Sequence, residues 1–310
     1  MPHSVMPTVL RVSSLLLAAV VLLFLSVPTA NAGGSFLLPS GKGSVSIYGG
    51  SGSAEGYYGA NGTQQRFDTL QTSFVATTFG ITADYGVMDG LELNAELPFG
   101  YFRIHSKERF PDRSIFAPVW LGLGGTYQLT TGSVHTSVST MLKIPPGFHH
   151  GIYDDPNHPT FLSDGYFQAT TAAHVGVAME ETWLKGSVAY NWRDEEPLDE
   201  VIINAEVGFS RVEGTGVFVG AQGVISTGDV ANPARAFYAG AAGSTEAQQR
   251  IDGGTGKFLT IDRENYLAIS AGAFVSIGDD LSINGRYNVR LLGANTLALQ
   301  GAFLGLGYRF

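Results

Sequence analysis

Ten charged residues occupy positions from which they could bind or select a charged solute. The acidic members are Asp84, Glu92, Glu96 and Glu206, and the basic members are Lys143, Lys185, Arg193, Arg286, Arg290 and Arg309. Each falls on the polar side of a stretch in which apolar and polar residues alternate, so all ten would share one face of a sheet. Enclosed together, they could form a polar constriction that selects solutes by charge and size. They could equally pair with one another and close the space, because an unpaired buried charge is costly.

Hydroxyl and imidazole groups occur on the same polar side. One alternating stretch contains His135, Ser137 and Ser139, and the next stretch along the chain contains His174. A serine nucleophile needs a base and a third group that orients the base. The chain contains no G-x-S-x-G signature, which marks one such nucleophile. We therefore interpret these residues as polar lining and predict no catalytic residue.

One loop concentrates residues that can bind metals. Its candidates are His149, His150, Asp154, Asp155 and His158. Imidazole and carboxylate ligands suit a divalent cation, but their spacing matches no zinc or calcium motif. The prolines around them favour a stiff, solvated surface loop. No metal and no other cofactor is predicted.

Twelve stretches of the chain carry the two-residue alternation of β-strands. They lie near 43–50, 72–87, 91–103, 118–129, 134–144, 166–179, 183–193, 200–210, 216–227, 265–277, 281–292 and 297–310. Most are long enough for a tilted strand to cross a membrane, which takes about 9–11 residues. The 41 glycines and the many Thr, Val and aromatic residues argue against helices.

The connections between these stretches alternate in length. Tight turns rich in Gly, Asp and Thr are predicted at 88–90, 130–133, 180–182, 211–215 and 278–280. The other connections are predicted as loops at 51–71, 104–117, 145–165, 194–199 and 228–264, with a short one at 293–296. This rhythm predicts an all-β fold, a closed antiparallel up-and-down transmembrane β-barrel of about 12 strands with both termini in the periplasm. The sequence of the loop at 228–264 is compatible with two roles, a plug or gate in the barrel mouth and a surface loop.

Alternation alone does not decide which face of the barrel points outward. A soluble barrel would bury the apolar residues inside, whereas a membrane barrel turns them towards lipid. Aromatic residues lie near both ends of the strands, at Tyr85, Tyr127, Phe209 and Tyr308, and at Phe99, Tyr101, Tyr190 and Trp192. Two such rings are typical of the interfacial girdles of membrane barrels. We therefore predict that the apolar face contacts lipid.

Both ends of the chain carry signals of export and assembly. Residues 1–32 contain Arg11, an eleven-residue apolar run at 15–25 and an A-x-A site at 30–32. The run is shorter than the ~20 residues of a spanning helix, so we predict a cleaved signal peptide and a single barrel domain at 33–310. The last strand ends in Tyr308 and Phe310. It resembles the closing strand of bacterial outer-membrane barrels, which implies the barrel-assembly machinery as a partner.

Composition excludes several functional classes. The formal net charge is −9, and loss of the leader, which carries one arginine and no acidic residue, takes it to −10. With no basic run, the chain gives no indication of nucleic-acid binding. It has no cysteine, so disulfides, thiolate metal sites and a lipid-anchored cysteine are excluded.

Three parts of the chain resemble one outer-membrane family. They are residues 80–99, residues 121–129 with 141–147, and residues 286–287 with the closing 306–310. In these parts the chain is similar to the family labelled "meta-pathway of phenol degradation", whose members are described as transporters. The chain departs from the family pattern at Pro146, where threonine is expected. The resemblance implies an outer-membrane barrel that carries aromatic or other apolar compounds.

These observations predict a channel or transporter for small molecules in the outer membrane of a Gram-negative bacterium. Its surroundings would be outer-membrane lipids, and the solute would pass through the polar interior or sideways into lipid. Two alternatives stay open. One is an outer-membrane hydrolase or lipid-modifying enzyme, and the other is a structural or adhesive barrel that displays its loops.

Overall fold

The structure is a computed structural model that describes residues 37–58, 62–66, 72–106, 113–145, 167–194, 199–212, 214–227, 236–237, 259–260, 265–294 and 296–310. No helix within these ranges is long and apolar enough to cross a membrane. The predicted leader, the predicted metal-binding candidates of the 145–165 loop and most of the loop at 228–264 lie outside the described residues.

Sixteen strands occur in the described residues. In chain order they are β1 (Gly43–Tyr58), β2 (Gln64–Arg66), β3 (Thr72–Met88), β4 (Leu91–Ser106), β5 (Arg113–Pro118), β6 (Leu121–Thr130), β7 (Val134–Ile144), β8 (Gln168–Ala178), β9 (Thr182–Arg193), β10 (Glu200–Val212), β11 (Thr215–Ser226), β12 (Ala236–Phe237), β13 (Leu259–Thr260), β14 (Asn265–Ile277), β15 (Leu281–Ala294) and β16 (Thr296–Arg309). Fourteen of them form one sheet, while β12 and β13 pair as a separate two-stranded sheet.

Twelve long strands make a closed antiparallel barrel. Each is hydrogen-bonded to its neighbours in chain order, and β16 pairs with β1 from Ser44–Arg309 to Tyr58–Thr296 to close the sheet. The short β2 and β5 extend the sheet beside β1 and β4. The prediction of an up-and-down barrel of twelve strands is therefore confirmed. The end of the barrel that carries the tight turns, the start of β1 and the end of β16 is called the turn end. The opposite end is called the loop end.

Four of the predicted loops are partly strand: β12 and β13 lie in the loop at 228–264, β15 and β16 extend into 293–296, and the other two are 51–71 and 104–117. β1 continues through the predicted loop at 51–71 as far as Tyr58. Alternation does not reveal this extension, because Gly50 and Gly52 have no side chains to mark the inward face. β4 runs to Ser106 and β5 begins at Arg113, so most of the predicted loop at 104–117 also belongs to the sheet.

Large apolar side chains are exposed on the outer face of eleven of the twelve long strands, the exception being β8, whose Val177 is buried. Six examples, between 45% and 69% exposed, are Ile47, Ile81, Leu123, Val188, Val219 and Leu304. The aromatic residues near the strand ends are also exposed, Tyr85, Tyr127 and Tyr308 at the turn end and Tyr101, Tyr190 and Trp192 at the loop end. The predicted outward orientation of the apolar face is confirmed, because a barrel with an apolar core would bury these side chains.

Candidate functional site in the barrel interior

Large inward side chains lie flat across glycines of neighbouring strands. A Cβ atom at Gly208 would overlap the indole of Trp183, and one at Gly272 would overlap the ring of Phe218. At Gly216 a Cβ would lie 2.6 Å from the ring of Phe274. Because the rings rest against the wall, they occupy little of the barrel's width. Open space is left beside them.

Glu206 is the centre of an ion-pair cluster on the interior wall. Its carboxylate lies 3.3 Å from Lys185 Nζ and 2.9 Å from Arg286 Nη2. It also accepts a hydrogen bond of 3.1 Å from Trp183 Nε1. Lys185 is its direct partner in the β9–β10 register. We call Lys185, Glu206 and Arg286 the charged triad.

Arg286 reaches Glu206 across two intervening strands. Arg286 is on β15 opposite Gly272 of β14, and Gly272 is opposite Phe218 of β11. Its guanidinium carbon lies 4.8 Å from the centre of the Phe218 ring. Glu206 in turn is opposite Gly220 of β11. With glycine on both intervening strands, the arginine side chain can lie along the wall and stack on Phe218.

The charged triad borders a cavity of about 470 Å³ inside the barrel. One wall carries the triad with Arg290, the amides of Asn204, Gln222 and Asn288, and the hydroxyl groups of Tyr266, Ser187 and Ser270. The adjoining part of the wall, formed by β16, β1 and β3, carries Leu299, Phe303, Ala76, Thr78, Gly52 and Gly301, and Phe303 is the register partner of Arg286. The cavity is therefore amphipathic, with three cationic groups and one carboxylate on its polar side.

Two of the predicted acidic residues meet near the turn end. The amide of Asn94 donates hydrogen bonds of 2.8 Å to both Asp84 Oδ1 and Glu92 Oε1. Ser44 Oγ donates to Asp84, and the backbone N–H of Leu38 donates to Glu92 Oε2 at 2.8 Å. Neutral donors thus hold these two carboxylates, and the segment before β1 is anchored inside the barrel.

Glu96 and Lys143 meet at a tryptophan on a different part of the wall. Trp120 Nε1 donates a hydrogen bond of 2.6 Å to Glu96 Oε1. Lys143 Nζ lies 4.7 Å from the centre of the Trp120 indole. Trp120 therefore connects two predicted charges that come from β4 and β7.

The remaining predicted arginines occupy both ends of the barrel. Arg193, 5% exposed at the loop end, lies 3.3 Å from Glu200. The guanidinium carbon of Arg290 lies 4.0 Å from the centre of the Tyr266 ring, and Nη1 donates to Thr296 Oγ1. Arg309 ends β16 at the turn end, where its backbone N–H donates a hydrogen bond of 2.7 Å to the backbone carbonyl of Asp280.

The structure thus gathers four of the ten predicted residues around one cavity and distributes the others. Within the described residues, ion pairs among these charges and open space beside them coexist. Sequence reasoning missed the neutral residues that orient these charges, above all Asn94, Trp120, Trp183, Phe218 and Tyr266. For Asn94 and Trp183 a signal was available, because each lies on the same parity as a predicted charge of its own strand. The positions of Trp120, Phe218 and Tyr266 beside these charges depend on how neighbouring strands pair.

The serine and histidine residues are also adjacent, as the neighbouring stretches suggested. Ser139 Oγ and His174 Nε2 are 2.8 Å apart. His174 is opposite Ser137 on one side and Ser187 on the other, so its strand partners are hydroxyl groups. His135 Nδ1 is 2.9 Å from Gln128 Nε2. Within the described ranges, no group of three or more His, Cys, Asp or Glu residues is placed to hold a metal ion.

Comparison with known proteins identifies similar folds. The crystal structure of an outer-membrane channel from Pseudomonas putida F1 covers 91% of this chain and 100% of its own, with a TM-score of 0.64 and 14% identity. The structure of the NanC porin covers 85% of this chain and 98% of its own, with a TM-score of 0.51 and 7% identity. No family profile and no curated protein matches the sequence. The likeness is one of fold, and the resemblance to the phenol-degradation family stays a prediction.

Proposed function

We propose that this protein is an outer-membrane channel or transporter that lets small molecules pass through its interior. The observation that carries the proposal is the division of the barrel into an apolar exterior and a polar interior with a cavity of about 470 Å³. Only a medium without water favours such an inverted arrangement, because exposed apolar surface is unfavourable in water. Similarity in fold to a bacterial outer-membrane channel and to a porin supports the same function.

We further propose a class of solute and a route by which the protein reaches the membrane. Aromatic or other apolar compounds are the proposed class, supported by the resemblance to the phenol-degradation family and by Leu299 and Phe303 on one cavity wall. The proposed route includes export with a cleaved leader at residues 1–32 and insertion through the closing strand. Passage of a solute through the barrel requires no chemical step, so no catalytic residue is assigned.

Planar-bilayer recording tests the proposed passage. The purified barrel, reconstituted at low protein density, is expected to give discrete conductance steps, because a polar interior lined by charges of both signs admits water and ions. Liposome-swelling assays with phenol, benzyl alcohol and a sugar of similar mass then test the solute class. Silent bilayers together with unswollen liposomes would contradict the proposal.

A barrel enzyme is the second candidate function, favoured by one contact. Ser139 and His174 are close enough for the histidine to accept the hydroxyl proton. Such a pair also needs a group that orients the histidine, and the strand partners of His174 are serines. Phospholipid hydrolysis that disappears in His174→Ala, but persists in His135→Ala, would favour the enzyme over the channel.

A further inference from the structure

We propose that the cavity is a binding site for a small organic anion, a carboxylate with an apolar body, and that Arg286 binds the carboxylate. The inference deepens the proposed function, because the ligand must enter the barrel interior to reach the site. It goes further by naming the charge of the solute and the residue that recognises it.

Arg286 is the member of the triad that is best presented to a ligand. Its side chain is 43% exposed, against 21% for Lys185 and 20% for Glu206. A guanidinium has five N–H donors in a planar fork that suits bidentate binding of a carboxylate, and the contact with Glu206 is made by Nη2. The contact with the Phe218 ring, 4.8 Å from its centre, and the ion pair with Glu206 together hold the guanidinium in place. The arginine is thus oriented before a ligand arrives.

The charge of the cavity wall favours an anion. Among the described residues that line the cavity, Lys185, Arg286 and Arg290 bring three cationic groups, and Glu206 is the acidic residue. The carboxylate of Glu206 is shared between Lys185, Arg286 and the Trp183 indole. An entering carboxylate would therefore meet a wall with net positive charge, and a cation would be repelled.

The apolar part of the wall and the volume define the rest of the ligand. Leu299, Phe303 and Ala76 offer an apolar surface beside the charged triad, and Phe303 is the register partner of Arg286. A volume of about 470 Å³ falls in the range of roughly 300–1,000 Å³ that is usual for small-molecule sites. A carboxylate attached to a single ring or a short alkyl chain satisfies both parts of the wall at once.

Glu206 already pairs with Arg286 and therefore competes with the ligand's carboxylate for the guanidinium. Neutralising Glu206 releases the guanidinium from its internal partner, so Glu206→Gln is expected to tighten binding of the anion. Neutralising the arginine removes the charge-assisted contact, so Arg286→Gln is expected to weaken binding about tenfold or more. If the triad only stabilised the wall, breaking it from either side would act in the same direction.

The test is isothermal titration calorimetry on the detergent-purified barrel. Benzoate and hexanoate serve as aromatic and aliphatic probes, and benzyl alcohol is the neutral analogue of benzoate. The proteins are the wild type, Arg286→Gln, Glu206→Gln and Arg211→Gln, in which the same charge is removed from an exposed site at the turn end. Heat-dependent mobility on gels shows that each variant is a folded barrel.

The inference is supported if benzoate binds more tightly than benzyl alcohol, and if binding of benzoate or hexanoate weakens in Arg286→Gln, tightens in Glu206→Gln and is unchanged in Arg211→Gln. Equal binding of benzoate and benzyl alcohol, no binding of either anion, or parallel effects of the two triad variants would overturn it. Calorimetry in detergent does not require a solute to cross a membrane. A wild-type barrel that binds benzoate but gives no conductance steps would therefore contradict the channel and leave the binding site standing.

Discussion

At the scale of single residues, inward glycines decide how the interior is filled. Trp183 can lie over Gly208 only because that position has no Cβ, and the resulting pose directs its Nε1 to Glu206. Phe274 lies 5.7 Å from the Trp183 ring and rests over Gly216 in the same manner. Each glycine therefore matters through the ring that covers it, as in the aromatic rescue of glycine in sheets.

Gly208→Ala tests this dependence. The new methyl group would overlap the buried indole of Trp183, so the free energy of unfolding is expected to fall by about 1–3 kcal/mol, the usual cost of overpacking. The measurement is denaturant unfolding followed by tryptophan fluorescence. Gly223→Ala is the matched control, because no atom lies within 4 Å of a Cβ at that position of β11. Equal stability of the two variants would contradict the role of the ring.

At the scale of strands, alternation predicted most of the barrel and failed where side chains are missing. The stretches predicted for β7, β14 and β16 coincide with the strands to within a residue. β1 was predicted to end at residue 50 but continues to Tyr58. There, the inward positions Gly50 and Gly52 are covered by side chains of β16, about 250 residues away in sequence. A contact that is distant in sequence leaves no local pattern to read.

The closing strand carries a prediction of its own. Phe310 contributes two backbone hydrogen bonds to the seam, both with Gly43, while the β1–β16 register holds thirteen further residue pairs. Deleting Phe310 should therefore lower the unfolding free energy of the refolded protein by only about 1–3 kcal/mol, the net worth of two hydrogen bonds. If Phe310 is an assembly signal, the amount of folded barrel in the outer membrane should fall far more than this loss explains.

Leu304→Ala separates the two effects. It removes an outward side chain, 69% exposed, from the same strand without touching the terminus. Both variants are refolded in detergent and also expressed in cells, and the folded fraction is measured by heat-dependent gel mobility. A loss of stability alone can reduce abundance several-fold. An abundance of the Phe310 deletion no lower than that of Leu304→Ala would therefore exclude an assembly signal.

At the scale of the whole molecule, the sequence predicted the faces of the strands but not the neighbours across them. Parity places Lys185, Glu206 and Arg286 on one face. Which charges meet depends on the register between strands and on the stagger of the closed sheet. Arg286 reaches Glu206 across β14 and β11 and contacts the Phe218 ring, which lies flat over Gly272. That arrangement is visible only once the registers are known, so the charged triad could not be derived from the chain alone.

The inverted distribution of polarity gives the last prediction. Val188 and Ser187 are adjacent on β9, the first 55% exposed on the exterior and the second lining the cavity. If the exterior contacts lipid, Val188→Arg should destabilise the barrel by about 2–4 kcal/mol, the cost of an arginine facing the middle of the bilayer. Ser187→Arg loses one hydrogen bond from Asn204 and adds a cation near Lys185, but the new side chain can reach water in the open cavity, so it should cost less, about 1–2 kcal/mol. Denaturant unfolding in phospholipid vesicles, followed by tryptophan fluorescence, measures both values. If Val188→Arg is no less stable than Ser187→Arg, the apolar band does not contact acyl chains, and passage through a membrane loses its physical basis.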